Sequence, residues 1–136
     1  MAKKIINPVP GWGLTDTRRA GGWHHAAIRV GDLVFLSGVC GVYSGTKQLA
    51  PTVEEQVRLI FKHLGDCLEH HGGKLQDIVQ ITIYFTDRKS QWPILDRVRR
   101  ELFPSDPPTS TGVGVTELDL GAALEISAIA AVSGPV

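Results

Sequence analysis

With 136 residues, 43% of them apolar, and fourteen Lys and Arg balanced by fourteen Asp and Glu, the chain has the length of one domain and enough apolar surface for a single core. A net charge of zero builds no field of the kind a phosphate backbone needs, so nucleic acid is not expected as a partner. No run approaches the ~20 apolar residues of a membrane helix, and MAKKIINPVPGWG meets Pro8 and Pro10 before the apolar segment of a secretory signal could form. A soluble protein of the cytoplasm is expected, with no membrane partner and with Cys40 and Cys67 reduced.

Residues 1–21 carry two prolines, several glycines and the basic pair Arg18-Arg19, and read as an irregular arm ahead of a single domain over 22–136. Residues 24–30 and 33–38, joined by Gly31-Asp32, read as a hairpin. Its second strand is apolar on both faces, Leu33 and Phe35 on one, Val34 and Leu36 on the other, so both must be covered. Residues 41–51 form a loop, after which Thr52-x-x-Glu55 has the form of a capping box. Val57, Ile60, Leu64, Cys67 and Leu68 then fall on one helical stripe that Gly72-Gly73 stops.

Residues 78–86 alternate Val79, Ile81, Ile83 and Phe85 against polar neighbours, as a strand with one apolar face does. A second helix is expected from Asp87 or Ser90, with Pro93 near its first turn, to about Phe103, where Pro104 and then Pro107-Pro108 end it. Two last strands, 110–118 and 124–132, flank an Asp-Leu-Gly turn. Along them Ser110, Gly112 and Gly114 alternate with Thr111, Val113 and Val115, while Glu125 and Ser127 alternate with Leu124, Ile126 and Ala128. One face is apolar and the other is small and polar.

The order ββαβαββ predicts an α/β (α+β) domain, a mixed sheet with two helices on one face. Val34, Leu36, Ile129 and Ala131 are then expected on the face without helices. An apolar patch of that kind predicts self-association.

The stretch Pro107-Pro108-x-x-x-Gly112-Val113-x-Val115-x-x-Leu118, followed by Leu124-Glu125-Ile126-x-Ala128-Ile129-Ala130, resembles the reactive intermediate deaminase (RidA/YjgF) family. Gly31-Asp32-x-Val34-Phe35-x-Ser37-Gly38, Glu55-Gln56, Asp77-Ile78-Val79 and Phe85-Thr86-Asp87 extend the match over roughly residues 22–132. The resemblance implies a chorismate-mutase-like homotrimer with small-molecule clefts between subunits, in enzymes that hydrolyse reactive imines and enamines without a cofactor. Some members have been described as ribonucleases.

The departures bear on chemistry. The family's strand after the proline-rich turn presents an arginine that holds a substrate carboxylate through two hydrogen bonds; here Ser110 stands there, so 2-imino acids are expected to bind poorly. A second acid in the last strand is replaced by Ser127, whereas Glu125 matches the other acidic position. The aromatic of the first strand is replaced by His24, which can exchange protons near neutral pH. His24, Glu125 and Ser127 are therefore the catalytic candidates.

Ser37, Gly38, Asp96, Ser110, Thr111 and Gly112 are the substrate-binding candidates, with Gly112 and Gly114 expected to widen the pocket. Plainer roles compete: Glu125 bonding backbone or a subunit interface, His24 packed at an interface, and Asp96 as an exposed helical acid. Cys40 has no assignable histidine partner. No metal is expected, because His24 and His25 would point to opposite sides of a strand and His70-His71 falls at a helix end. The expected function is hydrolysis or deamination of an imine, enamine or related intermediate, with specificity altered from 2-imino acids. A non-catalytic small-molecule-binding trimer and another reaction type on the same scaffold remain as alternatives.

Overall fold

The computed structural model describes residues 3–5 and 24–135. In chain order these form β1 (Lys3–Ile5), β2 (Ala27–Val30), β3 (Leu33–Cys40), α1 (Val53–His70), β4 (Ile78–Phe85), α2 (Arg88–Leu102), β5 (Thr109–Gly114) and β6 (Leu124–Ala131). The strands make one six-stranded sheet in the order β1-β2-β3-β6-β4-β5, parallel between β4 and β5 and antiparallel at the other pairs. The expected mixed α+β architecture is present, with one strand more than predicted. Lys3–Ile5, inside the segment read as an irregular arm, pairs with β2 as an edge strand; the rest of that arm, Arg18-Arg19 included, lies outside the described residues.

The local signals for α1 hold. Thr52 accepts from the Glu55 backbone N–H at 3.2 Å while the Glu55 carboxylate accepts from the Thr52 N–H at 3.2 Å, so two orphan donors at the helix start are satisfied reciprocally. Val57, Ile60, Phe61, Leu64 and Leu68 are buried on one side and join the single core with Leu95 and Val98 of α2. Pro93 sits further inside α2 than its first turn, where it removes one i→i−4 bond.

Three expectations about faces are corrected. Val34 and Leu36 belong to the core under the helices, because β3 pairs Val34 with Ala130 and Leu36 with Ala128, both buried. Leu33 and Phe35, 43% and 44% exposed, take the open face instead, cross-strand from Ala131 and Ile129. On β4 a register shift between Ile78 and Gln80 turns Ile78 inward and leaves Val79 exposed, which strict alternation does not anticipate.

The third correction concerns the small polar face. Ser110 and Gly112 of β5 stand beside the buried Ile81 and Ile83, on the helix side, whereas Thr111 and Val113 stand beside Thr82 and Tyr84. Those two are the cross-strand partners of Ser127 and Glu125. The residues read as one polar face therefore divide between opposite faces of the sheet. His24 and His25 precede β2 rather than lying within it, so strand alternation does not fix their directions.

A buried cation ties the hairpin to the helix end and the tail. Arg29 donates from Nε to Gly31 O at 2.8 Å and from Nη1 to His71 O and Gly134 O, both at 2.7 Å, the second of these being the carbonyl of the residue that caps the end of α1. Beside it the His71 ring is buried, its Nδ1 without a partner among the described residues. Burial, and secondarily the charge of Arg29, lowers the His71 pKa. His63, also buried, has its pKa lowered chiefly by burial even though its Nε2 lies 2.7 Å from Val42 O.

Folded pKa values below the unfolded value near 6.5 mean that the unfolded chain binds more protons as pH falls. The contribution of these two rings is fully present above about pH 6.5 and is lost as pH drops below it. Denaturant midpoints should therefore decline from pH 7 to pH 5, and His71→Gln should flatten that decline. An equal slope in the variant would show that His71 titrates alike in both states.

Candidate functional site

Two clefts gather most of the candidate residues. The first, of about 260 Å³, lies where β3 bends beside β6 and is lined by His24, Ser37, Gly38, Cys40, His63, Asp119 and Glu125. The bend is a bulge: Leu36 pairs with Ala128 and Val39 with Ile126, so Ser37 and Gly38 together span the position opposite Ser127. Ser37 holds the incoming segment, its N–H donating to Ala26 O at 2.9 Å and its hydroxyl to His25 O at 2.6 Å, and this brings His24 to the cleft. Gln56 of α1 steadies two further segments, donating to Ala50 O and accepting from Ala123 N–H, both at 3.0 Å.

Gly38 leaves room here for the Glu125 side chain. A Cβ at this position would overlap the Glu125 carboxylate, which lies across the glycine backbone. Glu125 is half-buried in the cleft; burial first, and then the negative charge of Asp119, push its pKa above the ordinary carboxylate value, against smaller opposing effects of the Cys40 hydrogen bond and His24. The Cys40 thiol lies 3.8 Å from Glu125 Oε2 as a donor, and burial followed by the Glu125 and Asp119 charges pushes it up to about 12. At neutral pH it is a neutral donor, without the thiolate that a cysteine nucleophile needs. A carboxyl group tuned upward, beside a histidine, is suited to taking and returning a proton.

The second cleft, of about 420 Å³, opens between α2 and β5, walled by Ile81, Phe103 and Pro107 and carrying Asp96, Arg99, Arg100 and Ser110. Asp96 is paired through both oxygens, with Arg99 Nε at 2.9 Å and Arg100 Nε at 2.8 Å, and hydrogen bonds from Arg100 and then Arg99 lower its pKa. Arg99 reaches on to the Ser110 hydroxyl with Nη1 at 2.9 Å, its guanidinium 5.6 Å from the Trp92 ring centroid. A guanidinium thus stands beside Ser110, supplied by the helix.

Sequence reasoning placed a serine there and missed Arg99. The spacing of Trp92, Asp96, Arg99 and Arg100 on one face of α2 was a usable signal, but it points at Ser110 only once α2 is laid along β5. The structure brings His24, Ser37, Gly38 and Glu125 into one cleft and Asp96 with Ser110 into the other. Thr111 and Ser127 line neither cleft. Gly112 packs against Phe85, whose ring would lie 3.1 Å from a Cβ there, so it does not widen a pocket, whereas a Cβ at Gly114 would meet nothing within 4 Å. Among the described residues no three His, Cys, Asp or Glu side chains group as a metal would require, and no helix is long and apolar enough to cross a membrane.

Comparison with known proteins agrees with the fold and the strand motifs. The profile of the endoribonuclease L-PSP family matches residues 15–132. The RutC family protein YjgH of Escherichia coli (strain K12) is 40% identical over 109 residues, 79% of this chain and 81% of that protein. The chloroplastic Reactive Intermediate Deaminase A of Arabidopsis thaliana is 32% identical over 110 residues, 80% of this chain and 58% of that one. The solved structure of protein YjgH superposes with a TM-score of 0.83 at 33% identity, covering 98% of both chains. On a profile that takes in every element from β2 to β6, the chain belongs to the endoribonuclease L-PSP, or RidA/YjgF, family.

Proposed function

We propose that this protein is a small-molecule hydrolase of the reactive-intermediate deaminase kind. It takes an imine, an enamine or a related hydrolysable intermediate in a cleft between subunits of a homotrimer. The observation that carries the reading is Glu125, a half-buried carboxyl with a raised pKa, set over Gly38 in a cleft that also holds His24. A relative of this chain is named a reactive intermediate deaminase.

The chemistry balances with water alone. Water adds to the carbon of a C=N bond while a base takes one of its protons and the nitrogen gains one. The resulting carbinolamine then gains a second proton on nitrogen from the acid and expels ammonia as the base takes the hydroxyl proton and the carbonyl forms. An enamine joins the same course after protonation at carbon. Glu125 and His24 supply the base and the acid, exchanging roles between the two halves. No electron changes hands, so the reaction itself needs no redox cofactor.

The substrate range differs from that of a 2-imino acid deaminase whose arginine stands on the strand, because here Ser110 occupies that place and the guanidinium arrives from α2. The absence of a carboxylate at Ser127 favours one other reading, a trimer that binds a small molecule without turning it over.

Three outcomes test the proposal. First, sedimentation should give a trimer at micromolar concentration, since Leu33, Phe35 and Val113 are exposed apolar side chains on strands that no helix covers on that side. Ile129→Asp should dissociate or unfold it, a buried unpaired charge costing on the order of 3–5 kcal/mol; a stable wild-type monomer would refute the assembly and the shared cleft together.

Second, Glu125→Gln should lower kcat for imine hydrolysis by about 10²–10⁴-fold. It should also erase an acid limb in the pH–rate profile that lies above the ordinary carboxylate range, where wild-type Glu125 becomes protonated and stops acting as a base. An unchanged profile in the variant would move the role elsewhere. Third, His24→Ala should cost a comparable factor with the trimer intact, and His25→Ala far less; if neither changes the rate, the binding-protein reading gains.

A further inference from the structure

We infer that Leu120 selects the substrate of the Glu125 cleft, as the contact for an uncharged apolar group borne on the carbon that reacts. The inference deepens the hydrolase reading and rests on it for the reaction that follows binding.

The segment between β5 and β6 carries a leucine in an unusual conformation. Leu120 has φ 60° and ψ 13°, and Gly121 after it has φ 72°. The Ala122 N–H donates to Asp119 O at 3.0 Å, so residues 119–122 close a turn whose two central positions are both left-handed, as in a type I′ turn. Such turns favour Asn-Gly, and a leucine there is strained by its Cβ. Their usual place is a two-residue hairpin, where the backbone twist suits paired strands. β5 and β6 do not pair, because β4 lies between them. Hairpin geometry therefore does not call for this turn, and the strain points to a use outside the fold.

The turn is pinned on its C-terminal side. Ala122 is buried, the Ala123 N–H donates to Gln56 Oε1 at 3.0 Å, and Ala123 O accepts from the Thr86 hydroxyl at 2.7 Å and the Thr86 N–H at 3.1 Å. A base fixed in this way can hold a residue in a conformation it would not otherwise adopt. The side chain so held is 45% exposed and lines the cleft of Glu125 and His24. A leucine kept for core packing would be buried.

The cleft has a polar part and an apolar part. His24, Ser37, Cys40 and Glu125 make the first; Val39, Val42 and Leu120 make the second. Val39 and Val42 are already buried, so Leu120 is the apolar side chain of this wall with area left to cover, and covering it with another apolar group is favourable. A ligand whose C=N carbon lies by Glu125 shares the cleft with Leu120 through the substituent on that carbon. A charged substituent would lose water there without gaining a partner from the leucine. At about 260 Å³ the cleft is smaller than the pockets that take drug-sized ligands, which limits the group to a short alkyl chain or a single ring.

The test uses primary amides as probes, since they keep the planar, nitrogen-bearing carbon of an imine and do not react. Acetamide, butanamide and hexanamide are titrated into the full-length protein, with the backbone NMR signals of Gly38 and Cys40 reporting occupancy of this cleft. Wild-type affinity should rise about three- to fourfold for each added methylene. In Leu120→Asn the rise should fall below about twofold per methylene, while acetamide binds as it does to the wild type. Leu120→Met, of similar volume, should keep the wild-type rise. Leu120→Asn should also sediment as the wild type does and melt no lower, with a gain of up to about 4 °C, because it restores the pair that the turn favours. A leucine serving the fold would show the opposite sign.

A chain-length dependence unaltered by Leu120→Asn, the absence of any such dependence in the wild type, or a melting temperature or assembly state lowered by the substitution would each overturn the inference. Chain-length dependence through Leu120 in a protein that hydrolyses no imine would leave this inference standing and remove the hydrolase reading. Imine hydrolysis that needs Glu125, in a protein whose amide affinity ignores chain length, would do the reverse.

Discussion

The last strand of the sheet holds the structure together. β6 lies between β3 and β4, antiparallel to both, and it joins the N-terminal hairpin to the parallel β4–β5 pair. Its side chains fix which face is which: Leu124, Ile126, Ala128 and Ala130 lie under the helices, and their cross-strand partners must face the same way because a strand's period is two. Val34, Leu36, Ile81 and Ile83 follow from that pairing. So does the exposure of Leu33 and Phe35 on the far side.

The two clefts shift their carboxyl groups in opposite directions. In the cleft beside the bulge, withdrawal from water works against the charge of Glu125, and the neighbouring Asp119 adds to the effect. In the α2–β5 cleft, hydrogen bonds from two guanidinium groups outweigh burial and hold Asp96 ionised. The fold builds the two clefts from separate segments, with β6 contributing Glu125 to one and α2 with β5 contributing Arg99 and Ser110 to the other.

The parts of this arrangement that depend on short-range chemistry were legible in the sequence. Thr52 and Glu55 announce the start of α1, Gly31-Asp32 announces the hairpin, and the apolar stripe of α1 names its buried side. What could not be read depends on register. The bulge at Ser37-Gly38 and the shift at Val79 each insert one residue into a period of two; a glycine inside a strand is a signal for the first, and no residue type marks the second. Ser110 and Glu125 were assigned to one face by alternation within each strand, yet β5 and β6 do not pair with each other; the intervening β4 sets their relation. Arg99 was hidden for a related reason, since an arginine near the end of a polar helix looks like surface until the helix is placed.

Gly38 and Glu125 share one volume. Because the Glu125 carboxylate lies where a Cβ at 38 would stand, a side chain there would push the flexible end of the glutamate into another rotamer. The two positions are therefore coupled through where the carboxylate points. A substitution at 38 would re-aim the acid before it threatened the fold, and a library varying both positions would scatter in the placement of the acid more than in stability.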